Sequence, residues 1–184
     1  MNYIILDLEA TCWETKKVSP HEIIEIGAVC INPEKQLVGE FCSFVKPSIN
    51  PFLSEFCTQL TSITQENVDT APLFPEAVTA FQSWILSFGD EYLLCSWGYY
   101  DQTQLIQDCK AHDIAIDWLD AHISIKHQYS KIKNTRSLGM KAALAREELT
   151  LEGTHHRGID DAKNIAKVFL KLWGQWKLDE RRTR

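Results

Sequence analysis

Two carboxylates near the amino terminus have the spacing that a β-strand places on one face. Asp7 and Glu9 end an apolar run that begins at Tyr3. Side chains two residues apart in a strand point the same way, about 6–7 Å from each other. Paired carboxylates repel unless a cation lies between them, and oxygen ligands suit Mg²⁺ or Mn²⁺. The pair alone also fits a polar strand terminus, so a metal site needs further acids.

The last helical segment carries an acid at the head of its apolar stripe. Positions 161, 165, 168 and 172 are Asp, Ile, Val and Leu, whereas positions 160, 163, 164, 167 and 171 are all polar. Asp161 is therefore expected to point at the sheet, where a metal shared with Asp7 would balance its charge. A helix-capping role is the alternative. Asp160 is expected on the solvent face, paired with Lys163 or stabilising the helix start.

A further acid, Asp101, stands alone in its part of the chain. It lies in SWGYYDQTQL, four residues after the end of the apolar run YLLCSW, and no other acid occurs between Glu91 and Asp108. An acid at a helix start also favours the helix dipole, so Asp101 becomes a metal-ligand candidate only in company with Asp7 and Asp161.

A histidine loop, GTHHRG, precedes the last helix. His156 stands five residues before Asp161. Imidazole titrates near neutral pH and accepts a proton from water, so His156 is the expected general base. His155 stands five residues before Asp160 and offers a competing register, but the inward direction of Asp161 favours His156. A surface histidine remains the alternative.

These residues need a fold that brings both ends of the chain together. Strands are expected at residues 3–8, 23–31, 38–45, 92–97 and 123–125, and helices at 52–60, 76–88, 100–112, 136–148 and 159–173. A turn at 32–35 predicts a hairpin between the second and third strands. This mixture predicts an α/β sheet covered by helices. The 184 residues, without repeat or linker, predict one domain spanning 1–184.

Composition excludes some classes of protein. The six cysteines are scattered without a C-x-x-C pair, which argues against a structural zinc site and favours reduced thiols. The amino terminus lacks a signal-peptide pattern, and no apolar stretch approaches the roughly 20 residues of a membrane span. A cytoplasmic protein without membrane contact is expected. The first strand begins at the amino terminus, so no accessory RNA-binding domain is expected before it.

Charge is unevenly distributed along the chain. The net charge is −6, yet residues 126–146 contain six basic residues and no acid, which leaves −12 elsewhere. Such a segment suits a protein that holds one end of a polyanion, and it equally suits a solvated helix face plus loop. The tail arginines 181, 182 and 184 are expected to form a solvated end.

The order of these motifs resembles the DEDDh exonuclease superfamily, which includes proofreading exonucleases, RNase T and oligoribonuclease. More narrowly, the chain is similar to the histone-mRNA 3′ exonuclease and enhanced-RNAi exonuclease group. The resemblance rests on LDLEATC, HEIIEIGAV, FCTQLTSIT, SWGYYDQTQL and HHRGIDDAKNIA, which span nearly the whole chain. It implies an RNase H-like fold, a mixed five-stranded sheet flanked by helices.

The resemblance also implies a ligand set for two divalent cations, Mg²⁺ or Mn²⁺. Asp7, Glu9 and Asp161 would bind one cation, with Asp7 bridging to a second that Asp101 holds. His156 would be the general base. In LTSIT the chain has serine where the family commonly has glycine. In the animal histone-mRNA enzymes the central acid directly follows the SW pair, whereas here Asp101 stands four residues after the tryptophan, a spacing that resembles the wider superfamily.

Five residues correspond to substrate-binding positions. Ala10 and Thr11 would lie against the terminal 3′-OH, Ile63 of the LTSIT segment would contact substrate, and the aromatic positions Trp97 and Tyr100 would lie near the terminal base or sugar.

The expected activity is hydrolysis of a terminal phosphodiester by water, which releases 5′-mononucleotides from single-stranded 3′ ends. Resemblance alone favours RNA over DNA. The alternatives are an oligoribonuclease or single-stranded DNA exonuclease of the same fold, and a catalytically silent nucleic-acid or protein-binding module. The oligomeric state is left open.

Overall fold

One mixed sheet forms the centre of the molecule. The computed structural model of the chain describes residues 1–15 and 18–178, so the tail arginines lie outside the described residues. The strands are β1 Asn2–Ala10, β2 Ile23–Ile31, β3 Leu37–Phe44, β4 Tyr92–Ser96 and β5 His122–Ser124. Their order is β3-β2-β1-β4-β5, with β1, β4 and β5 parallel and β2 antiparallel to both neighbours. The predicted sheet and its hairpin are confirmed.

Helices cover both faces of this sheet. In the described ranges they are α1 Glu55–Thr61, α2 Gln65–Asp69, α3 Phe74–Leu86, α4 Tyr100–Ala111, α5 Ile125–Ile132, α6 Met140–Arg146 and α7 Gly158–Lys171, with a 3₁₀ turn at Asp117–Leu119. Five were predicted with shifted ends. α6 begins four residues later than predicted because Gly139 before it has extended backbone angles, φ −67° and ψ 157°. α2, α5 and the 3₁₀ turn were not predicted.

Strand β1 divides the core into two layers. Tyr3 and Ile5 pack in the layer with α5, α6 and α7, whereas Ile4, Leu6 and Leu8 pack on the other face with α3 and α4. Because side chains alternate along a strand, Asp7 and Glu9 share the face of Tyr3 and Ile5. The acids therefore lie on the side of the sheet that α7 covers.

Two glycines bring the start of α7 into backbone contact with the sheet. A Cβ atom at Gly27 in β2 would lie 2.0 Å from the carbonyl carbon of Gly158, and one at Gly158 would lie 2.9 Å from the backbone oxygen of Asp7. Both distances are below any normal contact, so only glycine fits at these positions. This close approach places the first turn of α7, with Asp161, over β1.

Candidate metal centre

The site is built at the carboxyl end of β1. Asp7 pairs with Gly27 and Glu9 with Glu25 across the β1–β2 ladder, and the register shifts after Glu9. Glu9 is buried, with 8% of its surface exposed. The strand thus presents both carboxylates on the face that α7 covers, with Glu9 buried and Asp7 half-buried.

The helix supplies the third carboxylate. Asp161 lies in the first turn of α7 and is buried, with 4% of its surface exposed. One carboxylate oxygen from each of Asp7, Glu9 and Asp161 lies within 4.8 Å of the others. The structure therefore brings these three predicted ligands together. Asp160, also in the first turn of α7, accepts a hydrogen bond from the Thr154 N–H at 2.8 Å, and Lys163 pairs with Glu40 at 2.7 Å. Of the two roles expected for Asp160, the pairing with Lys163 is therefore wrong, whereas the position at the helix start is observed.

Asp101 approaches the group from the other side of β1. It is buried in the first turn of α4, and its Oδ1 accepts the Leu8 N–H at 3.1 Å. This bond ties α4 to the strand between Asp7 and Glu9. Asp101 stands outside the tight trio yet near enough to act on the charges of Asp7 and Glu9.

The carboxylates are electrostatically strained. Burial, followed by the charges of Asp101, Glu9 and Asp161, raises the pKa of Asp7 well above its ordinary value. Burial and the neighbouring acids, Asp161 first, raise the pKa of Glu9 to about 8. Burial raises the pKa of Asp101 to about 6, against the opposing effect of the Leu8 N–H. Clustered, buried oxygen donors of this kind fit a hard divalent cation, which would let all of them ionise.

Both histidines of the loop reach Asp161. His156 adopts a left-handed backbone, φ 65°, and its N–H donates to Asp161 Oδ2 at 3.0 Å. His155 Nδ1 lies 3.0 Å from the same oxygen, and the two imidazole rings stack with centroids 4.0 Å apart. Burial and the neighbouring His155 lower the pKa of His156, so its neutral form, which accepts protons, is favoured. The His155 ring therefore lies within hydrogen-bond distance of the Asp161 carboxylate, and the His156 ring stacks on the His155 ring.

An ion pair that the sequence analysis did not identify anchors this loop. Glu25 is fully buried and accepts from Arg157 Nε at 3.1 Å, from an Arg157 terminal nitrogen at 3.1 Å and from the Gly158 N–H at 3.0 Å. Glu25 therefore caps α7 from β2 and holds the residue after His156. A single acid within the apolar run IIEIGAVCI was the available signal.

The predicted substrate-contact residues divide into open and buried ones. Tyr100 is 55% exposed, whereas the Ile63 side chain is fully buried. Trp97 is only 9% exposed and donates its indole N–H to the Leu138 carbonyl at 3.1 Å, which makes it a core residue rather than an open stacking platform. Ala10 and Thr11 are buried at the end of β1, where the Thr11 hydroxyl accepts a backbone N–H at 2.9 Å.

Comparisons with known proteins agree on one family. A family model described as "RNase_T: Exonuclease" matches residues 4–169. ERI1 exoribonuclease 2 of Xenopus laevis is 32% identical over 92% of this chain and 28% of its own length. The 3′-5′ exoribonuclease 1 of Homo sapiens is 32% identical over 91% of this chain and 51% of its own length. The chain thus spans about a quarter to a half of these relatives.

Solved structures show the same similarity. The nuclease domain of 3′hExo, described as a DEDDh family member bound to rAMP, superposes with a TM-score of 0.92 at 28% identity, covering 98% of this chain and 96% of that one. The cell-death related nuclease 4 superposes with a TM-score of 0.82 at 23% identity, covering 93% and 63%. In the described ranges, none of the helices is both long and apolar enough to span a bilayer.

Proposed function

The chain belongs to the RNase T exonuclease family, and we propose that it is a metal-dependent 3′→5′ exonuclease acting on single-stranded RNA. The observation that carries this proposal is the meeting of Asp7, Glu9 and Asp161, whose carboxylate oxygens lie within 4.8 Å of one another inside a fold shared with exonucleases. A binding module would gain nothing from burying such mutually repelling acids.

Two divalent cations, Mg²⁺ or Mn²⁺, are the proposed cofactors. Asp7, Glu9 and Asp161 would hold one, and Asp101 together with Asp7 the other. Bound there, such cations offset charge on the scissile phosphate and on the departing 3′-oxygen.

The protein's own groups would handle the proton. His156 Nε2 or Nδ1 would accept a proton from the attacking water, because its lowered pKa keeps the ring neutral near pH 7. The hydrogen bond from the His156 N–H to Asp161 holds this base beside the carboxylates. Arg157 and Glu25 fix the loop on its other side. The product would be a 5′-mononucleotide.

RNA is the proposed substrate because relatives about 32% identical to this chain are named exoribonucleases. Among the predicted contact residues, Tyr100 is exposed and remains available to stack on a terminal base or sugar without reading its identity. We also propose that residues 1–184 form one exonuclease domain, which is supported by the two core layers on opposite faces of a single sheet. The cytoplasmic location stays a prediction.

The test uses a 5′-labelled single-stranded RNA oligomer with Mg²⁺, Mn²⁺ or EDTA. The wild-type protein should shorten it stepwise from the 3′ end, and only with metal. Asp161→Asn should abolish the ladder, whereas Asp160→Asn, the neighbouring acid outside the carboxylate group, should retain it. Equal activity of both variants, or cleavage in EDTA, would contradict the proposal.

Matched DNA oligomers and dinucleotides define the substrate class. Faster cleavage of DNA would indicate a DNA exonuclease of the same fold, and a preference for dinucleotides would indicate an oligoribonuclease. If none is cleaved while the nucleic acid still binds, the catalytically silent module is correct.

A further inference from the structure

One surface lies beside the carboxylate site and has no role in the chemistry described above. It comprises Lys126, Lys131, Arg136, Lys141 and Arg146, here called the basic strip. Lys131, Arg136, Lys141 and Arg146 are exposed and Lys126 is half-buried. The sixth basic residue of the segment, Lys133, pairs with the buried Glu147 at 2.9 Å and is excluded from the strip.

The strip has no counter-charge of its own. Among the described residues, the ion pairs engage other cations, namely Lys133, His155, Arg157, Lys163 and Lys167. No acid lies between residues 126 and 146, while the rest of the chain carries an excess of acids. Four exposed cations and one half-buried cation, none of them in an ion pair with a described residue, form a surface complementary to a polyanion on an otherwise acidic protein.

The fold attaches this segment to the edge of the sheet where the site lies. Because β1, β4 and β5 run parallel, their carboxyl ends share one edge. Helix α5 begins at Ile125, directly after β5. The Lys126 N–H donates to the Trp97 carbonyl at 2.8 Å, and the Trp97 indole donates to the Leu138 carbonyl at 3.1 Å.

Both tethers therefore end on Trp97, four residues before Asp101. Arg136 and Lys141 lie two and three residues from the tethered Leu138, within about 7–11 Å of it by the reach of the chain. The basic strip thus starts at the edge of the sheet formed by the carboxyl ends of β1, β4 and β5, where the carboxylates also lie, and continues along α6.

We propose that the basic strip binds the phosphates of the nucleic-acid strand on the 5′ side of the terminal nucleotide. This inference rests on the proposed function and adds a substrate requirement to it. Lysine and arginine contacts to phosphates read neither base nor sugar. The strip therefore confers preference for longer strands over dinucleotides, without distinguishing RNA from DNA.

The test measures binding without catalysis. Fluorescence anisotropy of a labelled 20-nucleotide RNA in EDTA reports affinity whether or not the protein is a nuclease. The variant Lys131→Gln/Arg136→Gln/Lys141→Gln is compared with Lys35→Gln/Lys46→Gln/Lys110→Gln, which removes the same charge from exposed or half-buried positions away from α5 and α6. Equal thermal unfolding temperatures of the two triple variants establish that both fold.

The salt dependence decides the outcome. Each phosphate contact on a single strand contributes about 0.7 to the slope of log affinity against log salt. Loss of three contacts should reduce that slope by about 2, so that from 50 to 200 mM salt the wild type loses about 20-fold more affinity than the strip variant. The control triple variant should keep the wild-type slope, and a dinucleotide competitor should bind all three proteins equally.

Three results would overturn the inference. One is a wild-type slope in the strip variant. Another is an equal loss in the control variant, which would attribute binding to overall charge. Failure of the proposed function is separate: it would appear as RNA that binds through the strip but is not shortened when metal is added. The third result that would overturn the inference is binding of the basic strip to phosphatidylserine vesicles with no binding to RNA.

Discussion

Replacing Gly27 with alanine adds one methyl group, which should push α7 and its Asp161 away from Asp7 and Glu9 on β1. The added Cβ would lie 2.0 Å from the Gly158 carbonyl carbon, whereas ordinary contacts begin near 3.4 Å. The start of α7 must therefore move by about 1.4 Å, because the obstacle is backbone and cannot rotate away. Asp161 would move with it.

The expected size of the effect follows from this displacement. Overpacking of a tight contact costs about 1–3 kcal/mol, which lowers the melting temperature by roughly 2–12 °C in a chain of this length. Activity should suffer more, because magnesium ligands must lie near 2.0–2.1 Å and a misplacement of about 1 Å can cost 100-fold in rate. We expect kcat to fall at least about 100-fold while the protein stays folded at 25 °C.

Single-turnover RNA hydrolysis and circular dichroism at the same temperature provide the assay. Gly139→Ala is the matched control, because nothing lies within 4 Å of its Cβ position and its φ of −67° suits alanine. If folded Gly27→Ala protein retained wild-type hydrolysis, the glycine contact would not set the geometry of the carboxylates.

Three further outcomes are expected. His156→Ala should reduce kcat about 10²–10⁴-fold and His155→Ala less than about tenfold, measured at saturating RNA; a larger loss in His155→Ala would make it the base. The pKa of Glu9 is raised to about 8, so ionisation of this carboxylate destabilises the metal-free fold as the pH rises. Bound Mg²⁺ should therefore raise the melting temperature more at pH 8.5 than at pH 6. A smaller rise at pH 8.5 would refute this prediction. Glu25→Gln should lower the free energy of unfolding in urea by about 2–3 kcal/mol. The loss should be smaller than for a fully buried ion pair because 25% of the Arg157 side chain is exposed. An unchanged urea midpoint would count against the anchoring role of Glu25.

Local pattern predicted some elements well. Strand β2 has the predicted bounds because a nine-residue run that is apolar except for Glu25 and buried on both faces is typical of a central strand. Helix α5 was not predicted because its sequence, IKHQYSKI, is mostly polar and buries only Ile125, Gln128 and Tyr129. The inward direction of Asp161 followed from helical periodicity, and the structure places it as expected.

Non-local partners explain the remaining differences. Trp97 resembles an exposed aromatic beside the site, but its indole finds a carbonyl 41 residues away, at Leu138, and turns into the core. The anchoring role of Glu25 depends on Arg157, which lies 132 residues later in the chain. Neither contact leaves a periodic signal, so spacing alone could not identify them.

The seating of α7 has a consequence for the synthesis of the protein. The proposed ligands come from residues 7, 9, 101 and 161, and the last arrives only with the helix that Gly27 and Gly158 bring onto the sheet. A growing chain therefore carries its first two acids long before it can complete the set. Under the proposed mechanism the carboxylate group is complete only once α7 has docked on the sheet, so hydrolysis is expected only after that step.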